Sequence, residues 1–154
     1  MPEPIGVLFV CLGNICRSPM AEAILRHRAA ERGLSDRLRV DSCGTGGWHA
    51  GDEADSRAIA CCRERGVPVT SIARQVDADR DRGFDLILAA DASTRTRLLE
   101  IGLPRERIEL IMHFAGTGED VPDPYYGEDD GFTRVYEMLR QAADGLLDHL
   151  FPSG

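Results

Sequence analysis

The chain contains no lysine, so all 18 of its basic residues are arginines, against 26 acidic residues and a formal net charge of −8. A Walker-type nucleotide loop needs a lysine that reaches the phosphates, and the absence of lysine excludes that kind of site. The segment Gly44-Thr45-Gly46-Gly47 also lacks the third glycine of a dinucleotide-binding fingerprint. An acidic chain repels the phosphates of nucleic acids and of anionic membranes. We therefore expect no nucleotide, nucleic acid or membrane among its partners.

The five cysteines are an odd number, and no two of them have the CxxC spacing of redox or zinc motifs. The sequence thus predicts neither a disulfide framework nor a metal site, and we expect no cofactor. The apolar run after the N-terminus is too short for a signal peptide or a membrane span, so we expect a cytoplasmic protein. The adjacent Cys61 and Cys62 are expected to pack in a helix.

Strand and helix patterns alternate along the 154 residues, of which 43% are hydrophobic. A chain of this length can bury about 70% of the surface that its unfolded form exposes. Strands are predicted at residues 5–10, 38–42, 84–90 and 108–112, and helices at 19–32, 54–65 and from Asp91 or Ser93 to Ile101. We predict one domain, residues 1–154, folded as a three-layer α/β/α sandwich around a four-stranded parallel sheet.

Two predicted helices carry clear apolar faces. In the first, Met20, Ala23, Ile24 and Ala30 form the expected core side, and Gly33 is the expected stop. A predicted loop at residues 113–130 precedes the last helix and is longer than compact domains usually tolerate without a functional reason. The last helix has an apolar stripe that is typical of core packing, formed by Phe132, Val135, Tyr136, Leu139, Ala142, Ala143, Leu146, Leu147 and Leu150.

The most informative stretch runs from Val7 to Glu22, where an apolar strand leads into a short polar loop and then a helix start. Continuous apolar residues are typical of a central parallel strand that is buried on both faces. Ser18 is predicted to cap the helix, with Pro19 in its first turn. Such a loop collects unpaired N–H groups at the positive end of a helix dipole, and this arrangement binds anions.

Two side chains indicate what the loop does with its anion. Cys11 ends the strand and Arg17 follows six positions later, so a curved loop can bring thiol and guanidinium to one bound oxyanion. A thiol in this setting ionises readily and is then a strong nucleophile, while a guanidinium can hold two phosphate oxygens. The pattern favours attack of sulfur on phosphorus. The alternative is a buried cysteine beside an ordinary strand-to-helix turn.

Cleavage of a phosphate monoester proceeds far better when an acid protonates the departing oxygen. The predicted loop at residues 113–130, here called the late loop, contains six carboxyl groups, and composition alone does not show which of them is the acid. They are Glu119, Asp120, Asp123, Glu128, Asp129 and Asp130. Asp123 is preferred because Pro124 stiffens its backbone and Tyr125 and Tyr126 add aromatic surface that could dry the site. The alternative for Asp123-Pro124 is a simple turn.

The segment from Cys11 to Pro19, CLGNICRSP, resembles the signature of the low-molecular-weight protein tyrosine phosphatases. Further matches follow in the order and approximate spacing of that family: Ser42-Cys43-Gly44-Thr45 with Trp48, Ala73-Arg74-Gln75, Asp91-Ala92-Ser93 and Asp123-Pro124-Tyr125-Tyr126. The resemblance implies strand order 2-1-3-4 and metal-independent hydrolysis of phosphotyrosine monoesters through a phosphocysteine intermediate. It also implies Asp123 as the acid, a phosphotyrosine protein as partner, phosphate or another oxyanion in the loop, and a monomer or weak dimer.

The resemblance also implies roles for single residues. Asn14 would hold the loop shape and Ser18 would ease departure of the cysteine sulfur, although both could be only turn and cap residues. Trp48, Tyr125 and Ile15 would wall the pocket for the substrate ring, with ordinary loop packing as the alternative. The remaining predicted substrate-binding residues are Leu12, Gly13, Cys16 and Tyr126. Ser71 departs from the family, which usually has a histidine there, so the polar network that braces Asn14 must be built differently.

Other functions are compatible with an anion loop. An arsenate reductase would need further redox cysteines, and none follows Arg63. A phosphoarginine phosphatase typically has threonine at the position of Ile15, and isoleucine favours a phenyl ring instead. A phosphocysteine carrier would not require Arg17 or Asp123, and a non-catalytic phosphate-binding module could dispense with the acid. We also consider that peroxide joins Cys11 to Cys16 reversibly, or else that Cys16 is only a small buried side chain.

Overall fold

The computed structural model describes residues 3–125, 127 and 129–152, with strands and helices in alternation. The strands are β1 (Ile5–Cys11), β2 (Leu38–Gly44), β3 (Leu86–Ala89) and β4 (Ile108–Leu110). The helices are α1 (Arg17–Glu31), α2 (Ser56–Arg63), α3 (Ala78–Asp81), α4 (Ala92–Ile101) and α5 (Asp129–Leu150). Short 3₁₀ turns cover Ser35–Arg37, Arg105–Arg107 and Ile111–Ala115.

The four strands form one parallel sheet in the order β2-β1-β3-β4. β1 therefore lies inside the sheet, between β2 and β3, and its side chains alternate between the two faces. Val7 and Phe9 pack with one hydrophobic cluster, and Leu8 and Val10 with the other. Burial on both faces explains why this strand is a continuous apolar run. The predicted sandwich and its strand order are confirmed.

The helices cover both faces of the sheet. On one face, Met20 and Ile24 of α1 join Leu139 and Leu146 of α5 in the larger cluster. On the other face, Leu98 of α4 packs in the smaller cluster. The α5 stripe is buried as predicted, apart from Leu150, which is partly exposed. Among the residues that the structure describes, no helix is long and apolar enough to cross a membrane.

Two predictions about α1 are wrong. The helix begins at Arg17, and the residue before it, Cys16, makes no side-chain capping bond. Ser18 does not cap the helix, because its hydroxyl lies within hydrogen-bond distance of Cys11 and of the Cys43 carbonyl instead. In the last turn Ala29 is buried and Ala30 exposed. The first two turns of α1 are buried on all sides. Their apolar residues therefore do not show which side of the last turn faces the core.

The later elements are shorter than predicted. β3 spans four residues, and β4 ends at Leu110, after which the chain tightens into the 3₁₀ turn. Helix α3 was not predicted; it is only four residues long and is capped by the Asp77 side chain. Of the two predicted caps of α4, Asp91 and Ser93, the structure shows Asp91, which accepts the Thr94 N–H. Gly102 ends that helix with a positive φ of 102°, as predicted.

Candidate active site

The loop between β1 and α1 is held closely against the end of β2. The amides of Thr45 and Gly46 donate to the carbonyls of Cys11 and Leu12, each at 2.9 Å. A Cβ on Gly44 would lie 2.8 Å from the Leu12 carbonyl oxygen and 3.0 Å from the Asn14 nitrogen. Glycine is therefore required at position 44, because the two backbones touch there.

The Asn14 side chain fixes the loop from behind. Asn14 has a positive φ of 57°, a conformation in which asparagine is among the better tolerated residues. Its Oδ1 accepts the Arg74 N–H at 3.0 Å, and its Nδ2 donates to Ser18 Oγ at 2.8 Å and to Ser42 Oγ at 3.0 Å. Because Arg74 donates a backbone N–H, the orientation of the amide is fixed and both hydroxyls act as acceptors toward Asn14.

With Asn14 as a donor to its oxygen, the Ser18 hydroxyl has one proton to give and two acceptors within reach, the Cys43 carbonyl oxygen and the Cys11 sulfur. The Ser18 Oγ lies 3.0 Å from the buried Cys11 Sγ and 3.3 Å from the Cys43 carbonyl oxygen. A hydroxyl that already accepts from Asn14 can donate to a thiolate, and such a bond stabilises negative charge on sulfur. The geometry thus brings Asn14, Ser18 and Cys11 into one hydrogen-bonded chain.

Glu22 was not among the predicted site residues, and it joins this hydrogen-bonded network through Ser42. Ser42 Oγ donates to Glu22 Oε1 at 2.6 Å, and Arg26 pairs with Glu22 Oε2 at 2.9 Å. Burial raises the pKa of Glu22, although the bond from Ser42 and the charge of Arg26 oppose this effect. Glu22 and Ser71 line the same cavity. The Ser42 hydroxyl thus links Asn14 to the Glu22 carboxylate in this chain.

Arg17 lies on the other side of the loop and is buried. Its Nη1 donates to Asp91 Oδ2 at 2.7 Å and to the Val121 carbonyl at 2.9 Å, which aims the guanidinium. Burial alone would raise the pKa of Asp91, but hydrogen bonds from Thr94 and Arg17 outweigh it and lower that pKa. Arg17 Nη2 lies 3.7 Å from Asp123 Oδ2. One nitrogen is thus anchored while the other faces the acidic residue.

A pocket of about 320 Å³ opens above the loop. Its walls include nine of the twelve predicted site residues: Cys11, Leu12, Gly13, Ile15, Cys16, Arg17, Trp48, Asp123 and Tyr125. Asn14 and Ser18 lie behind the loop, and Tyr126 lies outside the described residues. His49 also lines the pocket, and the sequence offered no signal for it beyond its position next to Trp48. Trp48 is 72% exposed, so the pocket has an aromatic rim.

Two carboxyl groups of the late loop, those of Asp123 and Asp120, have different hydrogen-bond partners and different positions relative to the pocket. Asp123 lines the pocket and accepts the Tyr125 N–H at 3.0 Å. Asp120 instead accepts the Ala92 N–H at 3.0 Å, at the start of α4. Among the six acidic candidates, and within the part of the loop that the structure describes, Asp123 alone lines the pocket that holds Cys11.

The other cysteines are buried. Burial raises the pKa of Cys16 and of Cys43 well above the ordinary thiol range, and it raises the pKa of Cys62 to about 12. Cys61 and Cys62 lie on α2 and pack in the core as predicted. Within the described ranges, no group of three or more His, Cys, Asp or Glu side chains is placed to hold a metal ion.

The chain is an α/β protein with a parallel sheet, and a buried cysteine and a buried arginine stand at the two ends of the loop after β1. This arrangement defines a class of α/β proteins that bind an oxyanion beside a thiol. The chain belongs to the low molecular weight phosphotyrosine protein phosphatase family, whose model matches residues 6–152. The resemblance seen in the sequence is thereby confirmed.

Individual relatives agree with this assignment. A low molecular weight protein-tyrosine-phosphatase from Streptomyces coelicolor is 44% identical over 149 residues, which cover 92% of this chain and 90% of that protein. A crystal structure of a protein tyrosine phosphatase from Entamoeba histolytica, with Hepes in its active site, matches with a TM-score of 0.91 and 38% identity over 96% of this chain and 97% of the other. The Drosophila arginine phosphatase matches with a TM-score of 0.87 and 34% identity, covering 94% and 96%.

Proposed function

We propose that this chain, as one domain spanning residues 1–154, hydrolyses phosphotyrosine monoesters in proteins through a phosphocysteine intermediate. The observation that carries the proposal is the single pocket in which Cys11, Arg17 and Asp123 meet. Nucleophile, phosphate-binding cation and acid are the three groups that this chemistry needs. We further propose that the protein acts in the cytoplasm as a monomer or weak dimer, on phosphotyrosine-containing proteins.

In the first step the Cys11 thiolate attacks phosphorus, and the bond from phosphorus to the tyrosine oxygen breaks. The departing phenolate takes the proton of Asp123, which leaves tyrosine and an S-phosphorylated Cys11. The backbone N–H groups of the loop and the outward nitrogen of Arg17 hold the charge on the equatorial oxygens during transfer. Arg17 can serve this role because Asp91 and the Val121 carbonyl already hold its other nitrogen.

In the second step Asp123, now ionised, takes a proton from water as the water oxygen attacks phosphorus. The bond from phosphorus to sulfur breaks, phosphate leaves and the Cys11 thiolate returns. The Ser18 hydroxyl, 3.0 Å from the sulfur, stabilises the departing thiolate. Asn14 supports this role because its amide donates to the Ser18 oxygen, which leaves the Ser18 proton for the thiolate or the Cys43 carbonyl.

Phosphotyrosine is the proposed substrate because the pocket walls are apolar where a phenyl ring would lie. Ile15, Trp48 and Tyr125 line it above the loop. A flat aromatic ring gains from such walls, whereas the charged guanidinium of phosphoarginine gains little from isoleucine at position 15. The fold itself does not separate these substrates, since an arginine phosphatase matches it as well.

The test is a turnover panel of a phosphotyrosine peptide, a phosphoserine peptide, phosphoarginine and arsenate with a thiol reductant. We expect fastest turnover on phosphotyrosine, without added metal. Cys11→Ser is expected to abolish turnover while phosphate or vanadate still binds, because the backbone N–H groups and Arg17 remain. Better turnover of another substrate would overturn the substrate assignment. Activity that survives Cys11→Ser would overturn the mechanism.

A further inference from the structure

The segment that carries Asp123 is tied to helix α2 by one arginine. Arg57 Nη2 donates to the Tyr125 carbonyl at 3.0 Å, and its guanidinium lies 5.5 Å from the centre of the Tyr125 ring. The same guanidinium lies 4.8 Å from the centre of the Phe132 ring, at the start of α5. Arg57 thus contacts the residues on both sides of the turn that follows Asp123.

Arg57 is itself held in a fixed orientation by Asp55. Its Nε and Nη2 donate to the two carboxylate oxygens of Asp55, each at 3.0 Å, in the bidentate geometry that restricts an arginine most. The Asp55 carboxylate also caps α2 by accepting the Arg57 N–H at 2.8 Å. The bonds from Arg57 outweigh burial and lower the pKa of Asp55, so this pair is charged.

Asp55 in turn is bonded to the phosphate-binding loop. Its backbone N–H donates to the Ile15 carbonyl at 2.8 Å, four residues from Cys11. At the other end of the series, the Tyr125 N–H donates to Asp123 Oδ1 at 3.0 Å. A continuous set of contacts therefore runs from the loop through Asp55, Arg57 and Tyr125 to the carboxyl group of Asp123.

We propose that Arg57 is a positioning residue that sets where Asp123 stands relative to the sulfur of Cys11. This inference rests on the proposed function, because it assumes that Asp123 protonates the leaving group. Between the 3₁₀ turn and α5, the residues of this loop that the structure describes form no helix or strand, and Asp123 and Tyr125 line the pocket. Val121 is held by the Ala90 carbonyl and by Arg17 on one side of Asp123. On the other side, Arg57 contacts Tyr125 and Phe132 and is paired with Asp55.

The chemistry makes the rate sensitive to this position. A general acid must lie within hydrogen-bond reach of the oxygen that it protonates, and a displacement of about 1 Å can cost about 100-fold in rate. Nitrophenolate is a good leaving group that departs without a proton, whereas phenolate is a poor one that needs it. A variant that only misplaces the acid therefore slows phenyl phosphate and spares 4-nitrophenyl phosphate.

The experiment compares Arg57→Met with the matched control Arg65→Met. Arg65 makes the same kinds of contact on the same side of the molecule: it donates to the Cys61 carbonyl at 2.8 Å and lies 4.9 Å from the centre of the Tyr136 ring. The two arginine side chains are 35% and 33% exposed. Arg65 contacts Tyr136 of α5, whereas Arg57 contacts Tyr125, which is hydrogen-bonded to Asp123. The control therefore measures how much activity is lost when an arginine on this side of the molecule is replaced.

We expect Arg57→Met to lower kcat/KM for phenyl phosphate by about 10-fold and for 4-nitrophenyl phosphate by less than about 2-fold. Arg65→Met is expected to slow both esters equally, or neither. Arg57→Lys keeps the charge but loses the bidentate contact, so it should give an intermediate ratio, and it carries the test if the methionine variant does not fold. In an Asp123→Asn background, Arg57→Met should cause no further loss on phenyl phosphate.

Equal slowing of the two esters by Arg57→Met, or the same change in ratio for Arg65→Met, would overturn the positioning role. A full further loss in the Asp123→Asn background would also overturn it, since Arg57 would then act independently of the acid. Failure of the proposed function looks different, because the unmodified protein would then lack aryl phosphatase activity or retain it after Cys11→Ser.

Discussion

Replacing the buried carboxylate Glu22 by the isosteric amide tests how the polar network behind the loop is balanced. Glu22 is 3% exposed, accepts from Ser42 at 2.6 Å and pairs with Arg26, whose side chain is 52% exposed. In Glu22→Gln the amide oxygen still accepts from Ser42, but without a charge. A hydrogen bond to a charged group is worth about 1 kcal/mol more than a neutral one, and the half-exposed pair with Arg26 adds about 0–1 kcal/mol.

The carboxylate therefore loses about 1–2 kcal/mol of favourable contacts at neutral pH when it becomes an amide. The amide avoids the cost of burying a charge, which the carboxylate must meet. The pKa of Glu22 is raised, so this desolvation cost is larger than the favourable contacts of the carboxylate. A carboxyl group with a raised pKa in the folded state contributes its full stability below the ordinary glutamate range. That contribution is lost as the pH rises through the raised value.

We expect Glu22→Gln to be within about 1 kcal/mol of the unmodified protein at pH 4, where both side chains are neutral. Its free energy of unfolding should then improve relative to the unmodified protein as the pH rises to 7. Urea unfolding at several pH values measures this difference. Glu64→Gln is the control, because Glu64 is 75% exposed and should show no such trend. A difference that is constant, or that falls as the pH rises, would refute the reasoning.

Two further predictions concern the loop and the acid. Asp123→Asn should lower kcat/KM by about 100-fold or more on phenyl phosphate and far less on 4-nitrophenyl phosphate; equal slowing of both esters would mean that another residue is the acid, with Asp120 the next to test. Mild peroxide is expected to join Cys11 and Cys16, which lie on the same loop, in a disulfide that thiols reverse. Mass spectrometry detects the bond, and inactivation without it would reject the idea.

Local sequence patterns were enough to predict the centre of the fold. The apolar run of β1, the glycine-asparagine turn and the nearby Cys11 and Arg17 lie within a few residues of one another, so their geometry follows from short-range rules. The α5 stripe was equally clear, because helical periodicity is a local signal. The ends of β3 and β4 were less predictable, because the partner strand decides where pairing stops.

The residues that complete the site belong to distant parts of the chain, and only the tertiary structure brings them together. Glu22 meets Ser42 across 20 positions, and Arg57 meets Tyr125 across 68. Nothing in the sequence around Glu22 or Arg57 distinguishes these two residues from charged residues that lie on the surface. The structure also separates Asp120, bonded to the start of α4, from Asp123, which lines the pocket. The sequence by itself determined the loop and its two reactive side chains, whereas long-range packing decided which polar groups surround them, because buried partners are chosen by proximity in space.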